Sequence, residues 1–272
     1  MTDEQAAASA APTWRIAPSI PVAFGVFVAY SVVFIGLSGS SLIPYDDWFD
    51  SSANIFRAAV LPLAAGALLL ILFLLWARWD FVFRDPERLP LPGFLRALLV
   101  LYVVFMVAVF AVADWGSVGD KLLPILLAGL LVGFAEELLF RGIILRALRT
   151  KLRPEAWVIL ISSVWFGAFH LLNVITGLNP VSAVFQMFIA AAGGVFLYMF
   201  RRFRGVLVLP MIVHALWDAA NFLPQPTGSL ANVGRIIIAV VVISAIAAII
   251  TMIRSDRRIT VTPQGIEQLP AA

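Results

Sequence analysis

The 272-residue chain contains no cysteine. Disulfides, thiolate zinc sites and thiol nucleophiles are therefore excluded. Charge is also scarce: Asp, Glu, Lys and Arg make up 13% of the chain, about half of the ~25% usual in soluble domains. Histidine is scarcer still, with two residues in all. A net charge of +3, spread over scattered arginines, is no nucleic-acid surface, and no nucleic-acid partner is expected. What fills the chain instead is apolar sequence, 62% of it, in runs longer than any soluble core requires.

Crossing about 30 Å of hydrocarbon takes a helix of about 20 apolar residues. Eight windows satisfy this, roughly 19–41, 55–77, 95–114, 122–146, 156–174, 181–200, 205–223 and 233–253. The first follows Arg15 and is long enough to span, so it reads as a retained helix rather than a secretion signal. Turn chemistry marks the breaks: Pro44 with Asp46 and Asp47, Pro86 to Pro92, Trp115 to Asp120, Arg153-Pro154, Asn179-Pro180, Arg204-Gly205, and Pro224 to Gly228. The expected fold class is all-α, a polytopic protein of eight transmembrane helices. A short segment 1–18 precedes the membrane domain 19–254, and a polar tail 255–272 follows it. Six of the eight tryptophans lie near span ends, as an interfacial belt requires.

The basic residues test this count independently. With the N-terminus in the cytoplasm, inner segments hold fifteen Lys and Arg and outer segments three (Arg57, Lys121, Arg235), Arg141 falling inside a span. The positive-inside rule asks for this asymmetry. A multi-pass protein of the cell membrane with both termini cytoplasmic is the expectation.

Three spans carry ionisable residues in their interiors: Glu136, Glu137 and Arg141 in the fourth, His170 in the fifth, His214 and Asp218 in the seventh. Each charge at mid-bilayer costs about 2.5–3.5 kcal/mol on insertion scales, so such groups pair or line a wet cavity. Glu137 and Arg141 stand four apart, in the favourable order for a helical ion pair. Glu136 is turned about 100° away and is left seeking a partner. One Glu–Arg pair alone reads as helix glue. Both histidines of the chain inside spans, in the helices that also hold the polar groups, read as a site built by helices 4, 5 and 7.

A carboxylate and two imidazoles suit the activation of water, with the carboxylate as general base. His214 and Asp218 are placed to stabilise a developing oxyanion. Alternatively Glu136, His170 and His214 form a two-His, one-carboxylate set able to hold one divalent metal such as Zn²⁺. The sequence leaves both routes, metal or none, open. No H-E-x-x-H helix, Gly-x-Ser-x-Gly elbow or aspartyl pair is present.

Taken in order, E-E-x-x-x-R (Glu136, Glu137, Arg141), F-x-x-x-H (Phe166, His170) and H-x-x-x-D (His214, Asp218) resemble the CPBP intramembrane proteases, the family of the type II CAAX prenyl endopeptidase. The resemblance covers roughly residues 120–223. It implies a water-activating Glu136 assisted by His170, with Glu137 and Arg141 in support. His214 and the residue four beyond it would stabilise the oxyanion. That last position is usually Asn in the eukaryotic enzymes and is Asp218 here. An ionised Asp cannot donate to an oxyanion, so Asp218 is expected to orient His214 instead.

The implied activity is intramembrane endopeptidase cleavage of a membrane-associated or lipidated protein or peptide. The bond is expected near the cytoplasmic half of the bilayer. An ion-coupled transporter and a silent membrane scaffold are the alternatives from other classes. Pro210, four residues before His214, is expected to kink the seventh helix. Gly129, Gly133, Gly142 and Gly193-Gly194 are expected to let helices approach closely.

Overall fold

The computed structural model describes residues 14–85, 91–152, 154–228, 231–255, 259–261 and 266–268. Most of the 1–18 segment, the 86–90 part of one expected break and Arg153 lie outside them. The described chain is built on eight main helices: α1 Ile20–Ser40, α2 Ser52–Ala77, α3 Gly93–Val112, α4 Gly119–Leu148, α5 Glu155–Thr176, α6 Pro180–Arg204, α7 Val208–Phe222 and α8 Ala231–Ser255.

Their ends obey local chemistry. Ser51 caps α2, its hydroxyl accepting from Asn54 N–H at 3.2 Å. Asn179 caps α6 by accepting from Val181 N–H at 2.9 Å, with Pro180 in the first turn. Gly205 closes α6 at φ +70°, its N–H on the Arg201 carbonyl.

Seven of the helices, among the described residues, are long and apolar enough to cross a membrane by length and composition. The window expected at 205–223 behaves differently. It yields α7, whose 15 residues reach only about 22 Å at 1.5 Å per residue. Gly205 and the extended Leu223 trim both its ends. The later start also moves Pro210 into the first turn of α7, where its missing N–H breaks no helical bond, and the expected kink has no cause. A second departure lies in the tail, where Ile259–Val261 pairs antiparallel with Ile266–Gln268. The membrane domain is all-helical; the tail adds this short ribbon.

Small residues set the closest contacts. A Cβ on Gly129 would sit 2.7 Å from the Ala215 carbonyl oxygen, and one on Gly133 2.7 Å from Ala215 N. The backbones of α4 and α7 therefore touch along one glycine edge, as small residues allow between membrane helices. Gly167 makes the same approach of α5 to α6, where a Cβ would lie 2.8 Å from that of Ala191.

Several arginines of the inner segments are buried. Arg149, Arg201 and Arg202 are 5%, 1% and 0% exposed. Asp85 binds all three: one oxygen accepts from Arg149 at 2.9 Å and Arg201 at 3.1 Å, the other from Arg202. Arg202 also reaches Glu155 at 3.1 Å, where Tyr198 donates as well. Arg201 holds the carbonyls of Val82 and Phe83 at 3.0 and 2.8 Å. Beside them, Leu207 N–H donates to the Phe83 carbonyl and Asp85 N–H to the Gly205 carbonyl. Charge-assisted bonds thus close this end of the bundle. Burial alone would raise the Asp85 carboxyl, but the guanidinium groups of Arg149, Arg202 and Arg201 outweigh it and hold its pKa below the usual range.

Candidate active site

The glycine edge determines what α4 and α7 can present to one another. With Gly129 and Gly133 against Ala215, the neighbouring His214 meets the carboxylates that follow on α4. Its Nδ1 lies 3.0 Å from Glu137 Oε1, and its Nε2 lies 4.0 Å from Glu136 Oε2 and 3.6 Å from Asp218 Oδ2. Three carboxylates therefore surround one buried imidazole. The first contact is a hydrogen bond and the other two are looser. Glu137, rather than Asp218, is the group that orients His214. Asp218 is four residues on in the same helix and faces the opposite ring nitrogen.

Glu137 and Arg141 form the expected pair, with Arg141 Nη1 donating at 3.0 Å between two fully buried side chains. The guanidinium is fixed twice more. Its Nη2 donates to the Gly194 carbonyl at 3.0 Å, and its Cζ lies 4.3 Å from the Phe166 ring centroid. Gly194 is required there, because a Cβ would come within 2.9 Å of that nitrogen. From Leu138 to Ile144 α4 is wound as a wider π-turn, an irregularity frequent at functional sites. The sequence carries no sign of it.

Phe166 is the hub of the ring contacts, edge-on to His170 at 5.0 Å and to His214 at 5.6 Å. His170 lies where α5 tightens into its last turns, and its Nδ1 is 3.0 Å from the Phe166 carbonyl. A carbonyl only accepts, so Nδ1 carries the proton; Nε2 of the neutral ring keeps its lone pair.

Glu136, His170, His214 and Asp218 all line one cavity of about 480 Å³. Within it Glu136 stands apart: it is 5% exposed, and no hydrogen bond reaches its buried Oε2. Aromatic side chains make up much of the wall, Phe34, Trp48, Tyr102, Phe166, Phe169 and Trp217 among them. Two polar residues not anticipated from sequence also face it. Asn173 donates to Gln186 Oε1 at 2.9 Å, and Gln186 donates to the Tyr45 hydroxyl at 2.8 Å. Asn173 stands three residues beyond His170, one turn along. A search of the spans for uncharged amides as well as charges would have found both.

The proposed metal set fares less well. Among the described residues no group of three His, Asp or Glu side chains converges as a metal ion requires, Glu136, His170 and His214 included. The Nδ1 of His214 is taken by Glu137. These residues do not fit a metal centre, and no step below passes through one.

Fold and site define a multi-pass membrane protein with ionisable side chains gathered around a cavity between its helices. Residues 118–220 match the family model described as type II CAAX prenyl endopeptidase Rce1-like. The matched stretch holds Glu136, Glu137, Arg141, Phe166, His170, His214 and Asp218. No curated protein and no solved structure matches the chain. Over those residues the chain is similar to the CPBP, or CAAX protease, family, and the similarity supports a protease.

Proposed function

We propose that the chain is an intramembrane endopeptidase in which Glu136 activates the attacking water. One observation carries this reading: Glu136, free of hydrogen bonds at its buried oxygen, shares a cavity with both histidines. Its neighbour Glu137 is instead bound through Oε1 by both Arg141 and His214, as a buried structural carboxylate would be.

In the proposed reaction a water between Glu136 and His170 gives a proton to the Glu136 carboxylate. Its oxygen bonds to the carbonyl carbon of the substrate peptide. His170 Nε2, a lone-pair acceptor, holds the second water hydrogen and aims the attack. His214, held as an imidazolium with its Nδ1–H on Glu137, presents Nε2–H to the developing oxyanion. When the tetrahedral intermediate collapses, the C–N bond breaks and Glu136 returns its proton to the leaving amine. Arg141 acts through Glu137, fixing its charge and position. Asp218 borders the same space and shares Nε2 of His214.

The substrate is a membrane-associated or lipidated peptide, whose apolar groups suit the aromatic wall. The same reading makes α7 an eighth crossing despite its length. Its start is bonded to Phe83 before α3, and Pro224 beyond its end accepts from Asp114 after α3. These partners flank a helix that crosses the bilayer, which supports α7 running from face to face. Helices α4, α5 and α7 then bring the ionisable side chains into the cavity, with the arginine-rich loops and both termini on the cytoplasmic side.

The test is hydrolysis of fluorogenic lipidated and unlipidated peptides by the purified chain, beside its Glu136→Gln and His170→Ala variants, with and without chelator. Activity that survives both substitutions removes the protease reading.

A further inference from the structure

The cavity reaches one face of the bundle and stops short of the other. Lining residues come from the loop between α1 and α2 (Tyr45, Trp48 and Phe49) and from Leu178 between α5 and α6. None of the described residues in the arginine-rich loops 78–92, 146–154 and 201–207 lines it. The deepest lining positions on α6 and α7 are Leu197 and His214. They stand seven and six residues from Arg204 and Val208, about 10 Å of helix at 1.5 Å per residue. Below them lies the buried knot of Asp85, Arg149, Arg201, Arg202 and Glu155. Its ion pairs and the Phe83 and Asp85 backbone bonds to Leu207 and Gly205 tie the arginine-rich end shut.

We infer that the substrate enters from the face opposite the arginine-rich loops, which is the exoplasmic face if those loops are cytoplasmic. This rests on the reading of the cavity as the active site. It replaces the expectation of cleavage in the cytoplasmic half. The substrate class narrows with it. The cleaved segment belongs to an exported or membrane-inserted peptide that presents an apolar stretch from outside, and a cytoplasmic C-terminal tail does not fit. A tail arriving from the cytoplasm would have to pass three buried arginines bonded to two carboxylates. An exported segment meets an aromatic mouth whose polar groups include the amides Asn173 and Gln186. Such amides pair with peptide backbone without demanding charge.

The chain has no cysteine, so single cysteines report on exposure directly. Ser182 is exposed at the cavity mouth, Lys151 is exposed on the arginine-rich side, and Asp120 is exposed beyond the far end of α3. A membrane-impermeant maleimide is applied to intact cells and to inverted vesicles carrying Ser182→Cys, Asp120→Cys or Lys151→Cys. The expected result is labelling of Ser182→Cys and Asp120→Cys from outside, with Lys151→Cys labelled only in inverted vesicles. Three results overturn the inference: labelling of Ser182→Cys together with Lys151→Cys, protection of Ser182→Cys on both sides, or labelling of Lys151→Cys from outside. A second arm supplies an impermeant fluorogenic apolar peptide to right-side-out and inverted vesicles, and cleavage confined to the former is expected. Cleavage confined to inverted vesicles overturns the inference. Cleavage in neither defeats the protease reading and with it the substrate class, while the labelling still decides the sidedness.

Discussion

Two clusters of buried charge occupy this bundle, and they are built on opposite plans. At the arginine-rich end both oxygens of Asp85 accept from guanidinium groups, and Arg202 is shared with Glu155. At mid-bundle Glu137 is bound by Arg141 and His214, yet Glu136 beside it meets only the 4.0 Å contact to His214. No residue of the first cluster lines the site cavity; residues of the second do. A buried carboxylate met by several guanidinium groups resists change, and its value lies in holding loops and helix ends together. Buried charge left partly unpaired beside a cavity can exchange protons and bind something else. The presence of ionisable residues in a membrane domain is therefore a weaker guide to chemistry than the completeness of their pairing.

Exchanging one carboxylate in each cluster should separate the two plans most sharply. Glu136→Gln is expected to lower peptide hydrolysis by about 10²–10⁴-fold, the range for loss of a general base. Its thermal unfolding in detergent should stay close to that of the parent, because no hydrogen bond to the buried oxygen is lost. Asp85→Ala should do the reverse at first. Removing the carboxylate shared by three buried guanidinium groups costs roughly 3–5 kcal/mol, read as a lowered unfolding midpoint, and activity falls only as far as folded protein is lost. If Glu136→Gln unfolds the protein as readily as Asp85→Ala, the distinction between the clusters collapses.

Smaller effects sharpen the same contrast. Gly133→Ala forces α4 away from the α7 backbone, at about 1–3 kcal/mol by the usual cost of overpacking. It should reduce turnover more than binding, since it shifts His214 relative to Glu136; a kcat against KM comparison reads this. Acid separates the clusters most gently. The pKa of Asp85 is held below the usual carboxylate value, so its contribution is complete above an unfolded pKa of about 3.9. That contribution is lost as pH falls from there through the folded value. The stability difference between the parent and Asp85→Asn should therefore shrink below about pH 4, and a constant difference from pH 7 to pH 3 would contradict the ion-pair account.

Much of the site was legible before any fold was known, because ionisable groups in apolar spans are expensive and so conspicuous. Glu137 and Arg141 could be paired by helical spacing alone. The partner of His214 could not. Asp218 is nearer in sequence, but Glu137, 77 residues away, holds its Nδ1. The inner arginines were legible as a topological bias but not as buried, since a charge beside a span end looks alike whether it meets water or Asp85. Helix boundaries misled in one place. The apolar run at 205–223 is longer than the helix it forms, and that shift of three residues turned Pro210 from a kink into a first-turn residue.

Composition and periodicity by themselves determined a helical, membrane-spanning chain with its charge concentrated at a few interior positions, because apolar length and the cost of buried charge are properties of local sequence. Tertiary structure alone decided which carboxylate was left free, which nitrogen of His214 was held, and which end of the cavity was tied shut. Those outcomes depend on distances between residues far apart in the chain. They follow from the close approach of α4 and α7 at Gly129 and Gly133 and from the convergence of distant arginines on Asp85.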